Sequence, residues 1–389
     1  MTQTPILFVS DSPDLDTGLA RIARDLAIRL CELPQFRVGF LGKGGMGGAQ
    51  FPFPVMQIQS QGTHDNWGES VIHQVASEFF RGRQGIIFTV WDISRIGYIG
   101  WPEILPDTCP SKPWLMNRPF RLWGYFPVDC TNVNNRFPNA FTEAYNRYDR
   151  KLFYTRWARD LALGSGVCGD VDWIPHGISE SLANWRRTSP ESPHDGLCHI
   201  GCVATNQPRK DWGLVFGTVA FLKRALGDCK LWAHVDKPYV PGRWALQALA
   251  RQFGLQNDTL ITTRLTDEEL WRNYSACDVT IAPGLGEGFG FPIAESLACA
   301  VPVIHGNYGG GADLLRTCGL QELLVPLVSV RIESEYGSIR PVFRPEDFAE
   351  TILNALSLDR EKCREAVAHL RWSKLFPSVW KRWFLRGLK

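Results

Sequence analysis

The sequence predicts an α/β protein of two doubly wound domains facing each other, and three observations lead there. Its 389 residues are too many for one ordinary domain. Short apolar runs alternate with stretches of helical spacing, first between Pro5 and Pro175 and again from Leu197 onward. Between these halves lies Ser189-Pro190-Glu191-Ser192-Pro193-His194-Asp195-Gly196, which has the composition of a linker. The expected boundaries are 1–178 for the first domain, 179–196 for the linker and 197–369 for the second domain.

The first half opens with Pro5-Ile6-Leu7-Phe8-Val9-Ser10, a short apolar run that reads as a buried strand. The turn-rich loop Asp11 to Gly18 follows, and then a helix whose Ile22, Leu26 and Leu30 share one face. Further strands are expected at 36–41, 85–91, 121–127, 151–154 and 171–175, the third of these running into Val128-Asp129. The second half starts with a strand at 197–204 and continues with a helix near 213–226 and a strand at 230–235. A helix near 244–253 and a strand at 259–262 come next, and Asp267-Glu268-Glu269-Leu270 is a good helix start.

Composition narrows the class. Hydrophobic content of 44% and charged content of 21% are globular values. A net charge of +2 advertises neither nucleic acid nor membrane. The eleven cysteines are scattered without a CxxC pair, which implies free thiols in a reducing compartment. Met1-Thr2-Gln3-Thr4-Pro5 lacks the pattern of a signal peptide, and no apolar run has the length of a membrane span. A cytoplasmic location is the expectation.

The most informative stretch is Glu287-Gly288-Phe289-Gly290-Phe291-Pro292-Ile293-Ala294-Glu295. Two carboxylates, seven residues apart, bracket a glycine-rich turn and a proline suited to the first position of a helix. A helix N-terminus presents free N–H groups and a positive dipole end, which suits phosphate. Carboxylates on either side suit hydroxyls, so a nucleotide-sugar is the ligand this chemistry describes. The plainer reading is acidic residues that merely favour the helix dipole. The flanks weigh against it, because Tyr274 to Pro283 and Cys299 to His305 supply a strand before the loop and another after the helix.

The stretch from Tyr274 to Gly311 resembles the signature of retaining glycosyltransferases of family 4, with a Glu-x7-Glu motif in a Gly-Phe-Gly context. The resemblance implies the GT-B fold, two facing Rossmann-like domains, with residues 370–389 crossing back to pack on the first domain. By the same resemblance Glu287 supports positive charge on the sugar ring and Glu295 accepts the ribose hydroxyls. Gly288, Phe289 and Gly290 turn their N–H groups to the sugar or phosphates, and the loop at Arg264 borders the base. Lys210 matches the family lysine that clamps the diphosphate. The family arginine is replaced by Thr205 and Asn206, which leaves Arg209 as its substitute and Asn206 beside the donor. Gly18 lies on the glycine loop that approaches the donor phosphate. Asp129 retains only the acid of a His-Asp pair, because Val128 stands at the histidine position, and a simple turn cap is the alternative.

The resemblance therefore implies a retaining, metal-independent transferase that moves a hexose from a UDP- or GDP-sugar to a hydroxyl acceptor, with no cofactor. Two other readings stay open: transfer to a modified nucleic-acid base, and a non-catalytic nucleotide-sugar-binding module. The segment from Val328 to Phe343 reads as an insertion relative to the family. The basic aromatic tail, with Trp380, Trp383, Phe384, Lys381, Arg382 and Arg386, suits packing on the first domain better than peripheral membrane contact.

Overall fold

The computed structural model describes residues 3–45, 47–58, 65–186, 197–334 and 336–389. It divides into two compact units. One comprises Met1–Val128, Asn134–His176 and Lys381–Lys389; the other comprises Asp129–Val133 and Gly177–Trp380. Most of the expected linker, residues 187–196, lies outside the described residues, and its start carries a short helix, Glu180–Asn184.

The first unit is built on a seven-stranded parallel sheet. Its strands are β1 (Thr4–Asp11), β2 (Phe36–Lys43), β3 (Val55–Ile58), β4 (Gly85–Thr89) and β5 (Phe120–Phe126). After β6 (Thr131–Asn132), which belongs to the other unit, come β7 (Arg150–Phe153) and β8 (Asp170–Trp173). The order is β3-β2-β1-β4-β5-β7-β8. Buried on both faces, β1 reads as a continuous apolar run, with Ile6 opposite Val38 on one side and Ile86 on the other. Thr17 caps the helix Gly18–Cys31, its hydroxyl accepting the Ala20 N–H at 3.1 Å.

The second unit carries β9 (Cys198–Val203), β10 (Cys229–His234), β11 (Thr259–Thr262), β12 (Val279–Ala282), β13 (Val303–Gly306) and β14 (Leu324–Val325). They form a six-stranded parallel sheet in the order β11-β10-β9-β12-β13-β14. A small antiparallel sheet joins β15 (Ser329–Ile332), β16 (Ser338–Val342) and β6. The expected insertion is thus a hairpin that captures the residues just past Asp129. Thr266 and Glu269 form a reciprocal capping box on the helix Asp267–Ala276.

Each parallel sheet starts in its middle and then builds outward on both sides. The direction reverses between β1 and β4 in one unit and between β9 and β12 in the other. In open α/β sheets ligands bind outside the carboxyl ends of strands at such a switch point.

The tail divides between the units. Trp372 stays in the second unit, lying over Gly177, where a Cβ would collide with the indole. Leu370 O accepts the Ile178 N–H at 2.9 Å. A π-helical turn, Phe376–Trp380, then leads to the helix Lys381–Arg386 of the first unit. There Phe384 packs edge-on against Phe88 at 5.3 Å, and Trp383 against Trp123 at 5.4 Å. Arg150 lies over the Trp383 ring at 3.9 Å and donates to the Trp383 carbonyl at 2.7 Å. The expected return of 370–389 to the first unit is accordingly made by its last nine residues.

Candidate active site

The loops that leave β9 and β12, the strands flanking the second switch point, come together. After β9, Asn206 folds the chain into a turn. Its amide donates to Lys237 O and Trp244 O, both at 2.8 Å, and its side-chain oxygen accepts Trp244 N at 3.1 Å. Those bonds engage its whole side chain, so Asn206 shapes the turn that presents Arg209 and Lys210. After β12, the loop reaches the helix Phe291–Ala298 through Gly290, whose φ of 94° lies in the left-handed region that glycine tolerates best. Pro292 occupies the first turn of that helix, where no partner for its nitrogen is needed. Leu285 N donates to Arg209 O at 2.8 Å and ties the two loops together.

Charge gathers at this junction. Lys210 donates to the Glu287 carboxylate, and both side chains are largely buried. Arg209 donates to the Gly286 carbonyl at 2.6 Å, and its guanidinium lies 3.9 Å from the second Glu287 oxygen. Burial alone would raise the Glu287 pKa. Lys210 and Arg209 outweigh it, so the carboxyl is held below its ordinary value. Burial pulls the Lys210 ammonium down, and Arg209 adds to that pull while Glu287 opposes it. Gly310 N donates to Glu287 O at 2.9 Å, linking the loop to the next helix, Gly309–Thr317.

Glu295 sits in the helix Phe291–Ala298 and is buried, with the Tyr274 hydroxyl donating to it at 3.4 Å. Burial, and then Glu295, push the Tyr274 hydroxyl well above its usual pKa. Phe289 is buried and stacks edge-on with Phe291 at 5.7 Å, so it anchors the loop while Gly288 and Gly290 shape it. Asp129 is drawn in by the hairpin. Its carboxylate lies 3.8 Å from Arg209 and 3.6 Å from Arg340. Gly18 is in the first unit, at the start of its first helix, and Arg264 is exposed on the turn after β11 with a φ of 53°.

Sequence reasoning missed His305 and Arg340. His305 is fully buried on β13, its Nδ1 2.7 Å from Ala282 O. A carbonyl only accepts, so Nδ1 carries the proton. Burial lowers its pKa, which keeps the ring neutral. Gly311 lies against Nε2 so closely that a Cβ would collide with it. A polar residue inside the apolar run Val303-Ile304-His305 was the available signal. Arg340 gave none, because the Asp129 it faces lies 211 residues away in the chain.

A cationic pair, a carboxylate between them and a glycine loop entering a helix meet at the switch point of the second sheet. Residues 240–368 match the family model described as glycosyl transferases group 1. Over 201 residues the chain is 29% identical to the GDP-mannose-dependent alpha-(1-6)-phosphatidylinositol monomannoside mannosyltransferase of Mycolicibacterium smegmatis, covering 49% of this chain and 50% of that protein. The chain thus spans half the length of that curated relative. Over 78 residues it is 36% identical to the D-inositol 3-phosphate glycosyltransferase of Xylanimonas cellulosilytica, covering 20% of this chain and 18% of that protein.

Among solved structures, sucrose-phosphate synthase from Thermosynechococcus elongatus superposes with a TM-score of 0.70 at 15% identity, over 99% of this chain and 100% of that one. Anabaena HepE in complex with UDP and glucose superposes with a TM-score of 0.66 at 15% identity, over 99% of both chains. Within the second unit, residues 240–368 are thus similar to glycosyl transferases group 1, and the two-sheet architecture is that of GT-B folds.

Proposed function

We propose that the protein is a retaining, metal-independent glycosyltransferase that moves a hexose from a nucleotide-diphosphate sugar to a hydroxyl acceptor. The observation that carries this reading is the cluster of Lys210, Arg209 and Glu287 at the switch point, beside the loop that enters the helix Phe291–Ala298. Cleaving a sugar–diphosphate bond places negative charge on the leaving phosphate. Fixed cations neutralise that charge without reorganising as the bond breaks. Arg209 and Lys210 are such cations, and this supports turnover without a metal.

Glu287 supports positive charge on the ring, and Glu295 takes the ribose hydroxyls. In the front-face route the acceptor oxygen bonds to the anomeric carbon as the bond to the diphosphate breaks. The acceptor proton passes to the departing phosphate oxygen. No separate base is required, in keeping with Val128 at the position where the resembled family has histidine.

The relative from M. smegmatis is named for GDP-mannose, and the HepE structure holds UDP and glucose. GDP-mannose and UDP-glucose are therefore the first donors to try, within a panel of UDP-, GDP- and ADP-sugars. Release of nucleoside diphosphate in the presence of EDTA supports the reading. Complete loss with EDTA, restored by Mg²⁺ or Mn²⁺, removes metal independence. The anomeric proton coupling of the product tests retention: a large, β-type coupling from an α-glucosyl donor rules it out. A protein that binds the nucleotide-sugar without turning it over is a binding module instead.

A further inference from the structure

Six charges form an alternating line in the second unit: Glu333, Arg340, Asp129, Arg209, Glu287 and Lys210. Its two ends are tight. Arg340 Nε donates to Glu333 at 3.0 Å, and Lys210 donates to Glu287. Its middle is loose, with Arg340 to Asp129 at 3.6 Å, Asp129 to Arg209 at 3.8 Å and Arg209 to Glu287 at 3.9 Å. Accessibility follows the same pattern. The Arg340 side chain is 8% exposed and that of Arg209 is 31% exposed.

Arg340 is fixed from several directions. It donates to the Asp129 carbonyl at 3.2 Å as well as facing the carboxylate. Ile339 on its own strand pairs with Thr131, two residues past Asp129. The Tyr308 hydroxyl accepts Thr131 N and donates to Ile339 O, both at 3.2 Å, pinning the same junction. Gly286 lies against Asp129 O and the Arg340 guanidinium, with no room there for a Cβ. The same Gly286 accepts from Arg209 through its carbonyl.

We propose that Arg340 is a positioning residue for the donor: held on the hairpin by Glu333, it keeps Asp129 neutralised so that Arg209 can turn to the diphosphate. This rests on the donor reading above. A diphosphate seated at Arg209 and Lys210 competes with Asp129 and Glu287 for the same cations. Arg340 gives Asp129 a partner that stays in place during that exchange. Without Arg340, Asp129 leans more heavily on Arg209 and also repels the incoming phosphate.

The test is calorimetry with GDP and UDP on wild type, Arg340→Met, Asp129→Asn and the double variant, with thermal unfolding of each. Arg340→Met is expected to weaken diphosphate binding about tenfold, which corresponds to about 1.4 kcal/mol. Asp129→Asn is expected to bind at least as tightly as wild type, and the double variant to recover to within about threefold of it. Should Arg340→Met not fold, Arg340→Gln with and without Asp129→Asn gives the same comparison. Unchanged binding in the Arg340 variant overturns the proposal. So does a double variant as weak as the single one, because Arg340 then acts on the phosphate or on the loop shape rather than through Asp129. A wild type that binds neither GDP nor UDP overturns the donor reading first and this proposal with it.

Discussion

The two units share one strand grammar and spend it differently. At the switch point of the first unit, Asp11 at the end of β1 accepts the Trp91 indole N–H at 2.9 Å and the Thr17 hydroxyl at 2.7 Å. Behind it the core is aromatic, with Phe8 stacked on Phe40 at 5.9 Å and the tail's Phe384 against Phe88. The second unit places a buried lysine, a half-buried arginine and a carboxylate at the equivalent strand ends. One sheet is thus closed by rings and the other is finished with charge. Burying rings gains stability directly. Burying charge costs desolvation that only well-placed partners offset, and such groups are retained where chemistry uses them.

Substitutions can separate these roles. The largest effect is expected in the aromatic core: Trp383→Ala should cost about 3–5 kcal/mol of stability. Chemical denaturation measures it, while GDP affinity of the folded fraction stays near wild type. A matching loss of affinity would mean that the units are not separable in this way. Next comes Lys210→Ala, expected to lower kcat by about 10²–10³-fold with a modest stability change, the cost of losing one fixed donor to the leaving group. Steady-state kinetics checks it, and a loss confined to KM would reassign Lys210 to ground-state binding.

Glu295→Ala should weaken nucleoside diphosphate binding by about 1.5–3 kcal/mol, the worth of hydrogen bonds to a charged group, with kcat less affected. Calorimetry with GDP and UDP would contradict the assignment if Glu287→Ala lost equal affinity. The acid response of Glu287 is smaller, roughly 1–2 kcal/mol, because glutamine at that position still accepts from Lys210. The folded pKa lies below the ordinary 4.5, so the stabilisation is complete above pH 4.5 and fades as pH falls through the folded value. The gap in Tm between wild type and Glu287→Gln should hold from pH 7 to 5 and narrow only below 4.5. A gap already closing between pH 7 and 5 would place the titration on another group. Smallest is Thr266→Ala, which removes half of the capping box and should cost about 1 kcal/mol with no change in donor affinity.

Local grammar made most of the fold legible. The strands predicted from apolar runs are all present, their ends displaced by two residues at most. Gly290, Pro292 and the flanking apolar runs announced the loop and helix of the site, because turn chemistry is written in adjacent residues. The helices Ile72–Phe80, Ile93–Gly100 and Asn139–Asn146 were missed, being short and only partly periodic. The bonds of the Asn206 side chain to Lys237 and Trp244, 31 and 38 residues on, were not legible either. Arg340 lay further out of reach. It meets Asp129 across 211 residues, through an antiparallel pairing that no local pattern announces.

The divided tail sets an order of events. Residues leave the ribosome from the N-terminal side, and domains ordinarily fold as units as they emerge. Here Trp383 and Phe384, which follow the whole second unit in the chain, close the core that β1 begins. The half that is synthesised first is therefore the half that is finished last. It waits, with the face around Phe36, Phe88 and Trp123 uncovered, until the whole second unit has been made.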